Sequence, residues 1–151
     1  MGSRICFDSS VWNAILNNET HRDLFSIQAW VAKVEKGEAR LLVPSIVICE
    51  IAAHPDVKQV ILFEQMLNSV HVEQLDITTP IAKKAGELRR LLLANKLKIK
   101  TPDALIIAAS DYHKANYIFS FDDGILRCNG KYNIAAEVGL PSKGHNQPLL
   151  P

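Results

Sequence analysis

Residues 4–16 read RICFDSSVWNAIL, an apolar run that stops on a carboxylate, Asp8, and then takes up helical spacing. Arg4–Phe7 has the character of a short buried strand and Ser9–Leu16 that of the helix after it. A strand gains nothing in folding from an acid at its tip. One explanation for Asp8 is local: an aspartate between strand and helix caps the helix, with Ser9 and Ser10 assisting. The other is that Asp8 belongs to a site whose remaining members lie elsewhere in the chain.

Working outward, the strand–helix unit repeats. In HRDLFSIQAWVAKVEKGEA (21–39) Leu24, Ile27, Trp30, Val31 and Val34 fall at helical spacing and Gly37 closes the helix. RLLVP (40–44) is a second strand, ended by Pro44. Ser45 caps a helix in SIVICEIAAHP (45–55) that Pro55 terminates, and DVKQVILFEQMLNS (56–69) is amphipathic. VHVEQL (70–75) is a third strand. TTPIAKKAGELRRLLLANKL (78–97) opens with Thr79 as cap and Pro80 at the first helical position, and TPDALIIAASDYHKAN (101–116) repeats the device with Thr101 and Pro102. YIFSF (117–121) is a fourth strand, followed by the turn DDG. The Pro- and Gly-rich tail VGLPSKGHNQPLLP (138–151) reads as irregular, and Met1–Ser3 carries no assigned structure. Strands alternating with helices specify a mainly parallel sheet with helices on both faces, an α/β fold. In such sheets sites form beyond the carboxyl ends of the strands. Asp8 lies at the mouth of that crevice.

The totals agree with one such unit. A chain of 151 residues, 48% of them hydrophobic, buries enough surface to fold without staples. Residues 1–140 form the domain and 141–151 the tail. No apolar stretch approaches the roughly 20 residues that span a bilayer, and the N-terminus lacks a signal-peptide pattern. Cys6, Cys49 and Cys128 are widely spaced with no CxxC pair, the pattern of buried reduced thiols in a cytosolic protein. Net charge is only +1, but it is unevenly distributed. Lys83, Lys84, Arg89, Arg90, Lys96, Lys98 and Lys100 fall in one segment against the single acid Glu87, which makes either a solvated helix face or a phosphate-binding surface.

Three further acidic positions are placed as oddly as Asp8. Glu50 interrupts a helix apolar on nearly every side and therefore mostly buried, where a lone carboxylate is costly unless paired, protonated or metal-bound. Asp103 stands in the first turn of an even more uniformly apolar helix. Asp122 and Asp123 follow a strand directly, as Asp8 does. Each has an ordinary reading: a helix-dipole partner for Asp103, turn residues for Asp122 and Asp123, a water-facing helix edge for Glu50. Yet two strand ends, one helix start and one mid-helix acid can converge on a single crevice of this architecture. Carboxylates so gathered repel, by about 4 kcal/mol per pair at ~4 Å and an effective dielectric near 20. A hard divalent cation, Mg²⁺ or Mn²⁺, neutralises such a cluster, and open acid-lined sites of this kind suit phosphodiester hydrolysis. The basic segment leads straight into Asp103 and could hold a phosphate backbone beside the cation.

The ordered set ICFDSSVW, VPSIVICEIAA, a Thr-Pro-initiated basic helix, PDALIIAAS and YIFSFDD resembles the PIN domain (PilT N-terminal) nucleases, with the closest likeness to VapC-type toxins of toxin–antitoxin pairs, from about Arg4 to Leu126. The resemblance implies a three-layer α/β/α sandwich and a Mg²⁺- or Mn²⁺-dependent ribonuclease acting on single-stranded or structured RNA in the cytoplasm. It also implies an antitoxin protein and a second copy of the chain as partners. Residue by residue it implies Asp8, Glu50, Asp103 and Asp122 as the catalytic acids. Asp8, Asp103 and Asp122 would ligate the metal, while Glu50 would be ligand or base. Ser120 matches a hydroxyl residue that orients ligands or water, and Ser10 stands where such proteins carry Asn or Ser. The adjacent acids in SFDDGIL depart from the family pattern, so Asp122 and Asp123 can exchange roles, and the tail replaces an expected short closing strand. The rival readings are a non-catalytic scaffold of the same fold that binds RNA or protein, and a housekeeping nuclease without an antitoxin. A dehalogenase-like phosphatase needs a second acid where Ser10 stands. His21, His54, His71, His113 and His145 show no zinc spacing, and no nucleophile elbow or phosphate-cradling glycine loop is present.

Overall fold

The computed structural model describes residues 2–17 and 23–142. The part of the tail beyond Ser142, read from the sequence as irregular, lies outside the described residues, as do Met1, His21 and His145. Five strands form one sheet, β1 (Ser3–Phe7), β2 (Ala39–Pro44), β3 (Val72–Leu75), β4 (Tyr117–Phe119) and β5 (Glu137–Gly139). Every pairing is parallel and the order is β3-β2-β1-β4-β5. The helices are α1 (Ser9–Leu16), α2 (Leu24–Glu35), α3 (Ser45–Ala52), α4 (Val57–Leu67), α5 (Thr79–Ala94), α6 (Thr101–Tyr112) and α7 (Asp123–Leu126).

The chain moves outward from β1 through β2 to β3 and then returns to the other side of β1 for β4 and β5. Right-handed crossovers put α1–α4 on one face and α5–α7 on the other, and α1 indeed packs on α2, α3 and α4 while α6 packs on α5 and α7. The result is the three-layer α/β/α sandwich expected. Alternation along the strands supplies both cores. Ile5, Phe7, Tyr117 and Phe119 face the α1–α2 layer, where Trp12 meets Phe63 edge-on at 4.8 Å and Trp30 lies 5.4 Å from Phe119. Cys6 and Ile118 face α6, where the Cys6 thiol lies against the Ser110 hydroxyl. At the amino ends Glu73 joins Arg4 (3.3 Å) and Arg40 (3.0 Å), tying the first three strands together. The described residues contain no helix long and apolar enough to cross a membrane.

Several local expectations are corrected. β5 is a fifth strand lying partly inside the stretch read as irregular tail, and Pro141 beyond it is buried with its carbonyl accepting from Trp30 Nε1 at 3.2 Å. β1 begins at Ser3. The DDG turn is the start of α7. The helices at 45, 79 and 101 each begin at the residue assigned as cap. Pro44, Thr78 and Lys100 occupy the cap positions with extended backbone, and no side chain caps any of the three. α3 is not mostly buried: only Val47 and Ile51 are, and Cys49 is exposed, against the expectation of a buried thiol.

Candidate active site

Sheet order reverses between β1 and β4, and the crevice opens beyond their carboxyl ends. Asp8 ends β1 at that point. Its backbone is extended (φ −74°, ψ 177°), it caps α1 through Val11 N–H, and it is only 2% exposed. The local and the functional explanations of this residue are therefore compatible. Two serines hold the carboxylate. Ser10 Oγ donates to Oδ1 and Ser120 Oγ to Oδ2, both at 2.6 Å. Each hydroxyl in turn accepts from the backbone after β4, Ser10 from Phe121 N–H at 3.0 Å and Ser120 from Asp122 N–H at 2.9 Å. Two parallel relays thus run from the end of β4 into the two oxygens of one aspartate. A hydroxyl is the group that can accept and donate in this way.

The other acids arrive from three more elements. α3 starts directly after β2 and leans against α6, which carries half-buried Glu50 towards half-buried Asp103 in the first turn of α6. Asp122 caps α7, its Oδ1 accepting from Gly124 N–H at 2.7 Å. The electrostatics show the convergence. Burial first, then the charge of Asp122, pushes the Asp8 carboxyl above its ordinary range, although the two serines and Val11 N–H pull the other way. Glu50 is raised by burial and by Asp103 and Asp8, with the Ser9 hydroxyl opposing. Asp103 is raised by burial, Asp122 and Asp8, with Lys100 opposing. Of the two adjacent acids, Asp122 is the one whose charge bears on both Asp8 and Asp103. Asp123 is exposed, within the first turn of α7. Two buried thiols border the cluster: Cys6 is pushed up to about 12 by burial and Asp8, Cys128 to about 11 by burial and Asp103. Neither is a nucleophile near neutral pH.

Ser9 is the member that sequence reading missed as a site residue. The signal was the run Asp8-Ser9-Ser10, three polar side chains at the start of a helix that needs one cap.

The donor set fits a hard cation. All donors are oxygens, the carboxylates repel one another, and Glu50 Oε1 is buried without a hydrogen-bond partner. Among the described residues no three His, Cys, Asp or Glu side chains stand together as a ready-made cage. An ion that keeps several of its waters, as Mg²⁺ does, would need few direct protein ligands.

The basic segment is divided. Lys84 pairs with Asp111 Oδ2 at 2.9 Å, at the far end of α6 from Asp103, about 12 Å away along the helix. Lys83 lies beside it in the chain. Arg89, Arg90 and Lys98 border a cavity between α5 and the linker that follows it. Lys100 is the cap of α6, and Lys96 sits in the turn after α5 with φ 62°.

In fold the chain is similar to VapBC2 from Rickettsia felis, solved bound to a DNA fragment from their promoter, with TM-score 0.69 and 16% identity over 89% of this chain and 96% of that one. It is similar also to Mycobacterium tuberculosis VapC20, described as a sarcin–ricin loop cleaving toxin (TM-score 0.61, 17% identity, 80% and 92%). A third is VapBC-5 of the same organism, a member of the VapBC family of toxin–antitoxin systems (TM-score 0.61, 16% identity, 91% and 98%). A search of curated protein sequences returned no match. A family model described as the PIN domain matches residues 5–131. That span takes in all four converging carboxylates and the serines that latch Asp8, and the chain belongs to the PIN domain family, a family of nucleases.

Proposed function

We propose that this chain is a metal-dependent endoribonuclease acting on single-stranded or structured RNA, and the toxin of a type II toxin–antitoxin pair. The observation that carries the reading is the convergence of Asp8, Glu50, Asp103 and Asp122, from four separate elements, on the point where strand order reverses. Asp8, Asp103 and Asp122 would hold Mg²⁺ or Mn²⁺. The ion supplies positive charge that polarises a phosphodiester and eases deprotonation of the attacking water. Glu50, half-buried with one oxygen unpartnered, either joins the ligands or takes the proton of that water as it attacks phosphorus and the P–O bond breaks. Ser10 and Ser120 fix the orientation of Asp8, and Lys100, whose charge acts on Asp103, would receive a phosphate oxygen. The toxin assignment is supported by the family and by the printed descriptions of the structural neighbours. A small antitoxin chain and a second copy are the partners in this reading. The apolar surface on α4, with Val57 66%, Ile61 49% and Leu62 44% exposed, is of the kind protein partners cover.

The test is cleavage of a mixed RNA pool with Mn²⁺, with EDTA, and with Asp8→Asn. The expected result is cleavage by the wild type with Mn²⁺ and background levels in the other two, with the circular dichroism of the variant unchanged. Full activity of Asp8→Asn, undiminished by EDTA, overturns the reading.

A further inference from the structure

The cavity beside α5 has a chemistry that the acid cluster does not use. It measures about 330 Å³, within the ordinary range for small-ligand sites of about 300–1,000 Å³, and is lined by Gly86, Arg89, Arg90, Leu93, Lys98 and Ile99. One of its walls is held in place by a hydrogen bond. Arg89 Nε donates to the carbonyl of Ile99 at 3.2 Å, which pins the linker against α5, and the Ile99 side chain is buried. Leu93 is 64% exposed, a large apolar wall with no cover. Gly86 supplies the opening: a Cβ there would meet nothing within 4 Å. The rim is cationic and uncancelled. Among the described residues the ion pairs join Arg4 and Arg40 to Glu73 and Lys84 to Asp111, and none involves Arg89, Arg90 or Lys98.

An exposed apolar side chain, Leu93, beside three cations matches a group that is planar and apolar on its faces and anionic along its edge. A carboxylate side chain would satisfy the cations and leave Leu93 wet; a free phosphate would do the same. A nucleotide covers both. The linker also places the cavity next to the acids, since Lys98 is two extended residues, about 7 Å, from Lys100 at the start of α6. We propose that this cavity receives one nucleotide of the substrate strand close to the scissile phosphate, its base lying against Leu93 and its flanking phosphates on Arg90 and Lys98. The proposal rests on the ribonuclease reading and adds to it a base-binding subsite.

The experiment measures fluorescence anisotropy of the full chain in EDTA, where no cleavage occurs, with two labelled probes of equal length: a random-sequence single-stranded RNA and an abasic sugar–phosphate strand. The wild type binds the base-bearing strand about tenfold more tightly, the difference expected when a base covers the exposed apolar side chain of Leu93. Gly86→Leu introduces a good helix former at an exposed helical position and fills the cavity, and it lowers binding of the RNA to the level of the abasic strand. Arg90→Gln weakens both probes and shallows the salt dependence by about one charge. Equal binding of the two probes by the wild type, or unchanged RNA binding by a folded Gly86→Leu, overturns the proposal. So does a glutamate-rich peptide that Gly86→Leu expels while RNA is indifferent to the change, which would assign the cavity to a protein ligand. Cleavage with Mn²⁺ is read separately. Base-dependent binding without cleavage sinks the nuclease reading and leaves the subsite standing, whereas cleavage with equal probe binding sinks the subsite alone.

Discussion

The two serine relays make Asp8 a fixed acceptor rather than a mobile side chain. Each oxygen receives a 2.6 Å hydroxyl bond whose far end is anchored on the backbone after β4. Ser120 is fully buried, so Ser120→Ala leaves both Asp8 Oδ2 and Asp122 N–H short of a partner, a cost of about 1–3 kcal/mol. Its effect on the site is larger in kind, because groups that orient ligands typically change metal affinity or activity by about 10–100-fold. Titration of Mn²⁺ into the folded variant should show weaker binding, and cleavage at saturating Mn²⁺ should recover in part. Unchanged Mn²⁺ affinity would reduce the relay to a packing detail. The residue scale is also where the sequence left Asp122 and Asp123 interchangeable. Both come shortly after β4, beyond Ser120 and Phe121, and both are exposed; the start of α7 separates them, Asp122 extended at the cap (φ −84°, ψ 121°) with its charge acting on Asp8 and Asp103, Asp123 already helical.

At the scale of elements, Asp111 is the clamp on the α5–α6 layer. Its Oδ1 accepts from Ala135 and Ala136 N–H at 2.9 and 3.0 Å, which positions the chain entering β5, and its Oδ2 meets Lys84. The side chain is only 5% exposed. Asp111→Ala strands two backbone donors and should cost about 2–4 kcal/mol in chemical denaturation. Lys84→Met should cost under about 1 kcal/mol, since the lysine end is 40% exposed and screened by water. Similar losses for the two would mean that the ion pair, not the backbone bonds, does the holding. These backbone partners explain what the sequence concealed. β5 is three residues with one strand-type side chain, Val138, too short for a periodic signal; it is specified by pairing to β4 and by Asn129 Oδ1, which accepts Val138 N–H. The sequence puts the helix starts at 45, 79 and 101 one residue late because a hydroxyl residue beside a proline (Ser45 after Pro44, Thr79 and Thr101 before Pro80 and Pro102) reads as a cap, whereas these helices start without a side-chain cap. The apolar run around Cys49 reads as buried, but α3 buries fully only Val47 and Ile51, with Ile46 and Ile48 half-buried beside them, and leaves Cys49 exposed. What the sequence did expose were long-period features: four strands, the α/β alternation, and acids at strand ends.

For the molecule as a whole, the acid cluster makes stability and function oppose each other in the metal-free protein. Asp8, Glu50 and Asp103 are all raised above ordinary values of 3.8, 4.5 and 3.8 respectively, by burial first and by one another's charge. Folded protein therefore binds more protons than unfolded chain between those ordinary values and the raised ones. The associated stabilisation is complete below the unfolded values and is lost as pH climbs through the folded ones. Glu73 behaves oppositely: although burial raises it, Arg40 and Arg4 outweigh that and bring it below 4.5, so it stays ionised from pH 5 upward and does not blur the window. In EDTA the protein should melt several degrees higher at pH 5 than at pH 7.5, each kcal/mol being about 2–4 °C for a chain of this length. Asp103→Asn removes one member of the cluster and should flatten that difference, which cancels contributions from groups elsewhere. Mn²⁺ added at pH 7.5 should restore what deprotonation removed. At a hundredfold excess over its dissociation constant it contributes about 2.7 kcal/mol, and the gain should shrink at pH 5, where protons compete for the same oxygens. A melting temperature that rises from pH 5 to 7.5 in EDTA, or one indifferent to Mn²⁺, would mean that these carboxylates are not held close enough in solution to act on a shared ion.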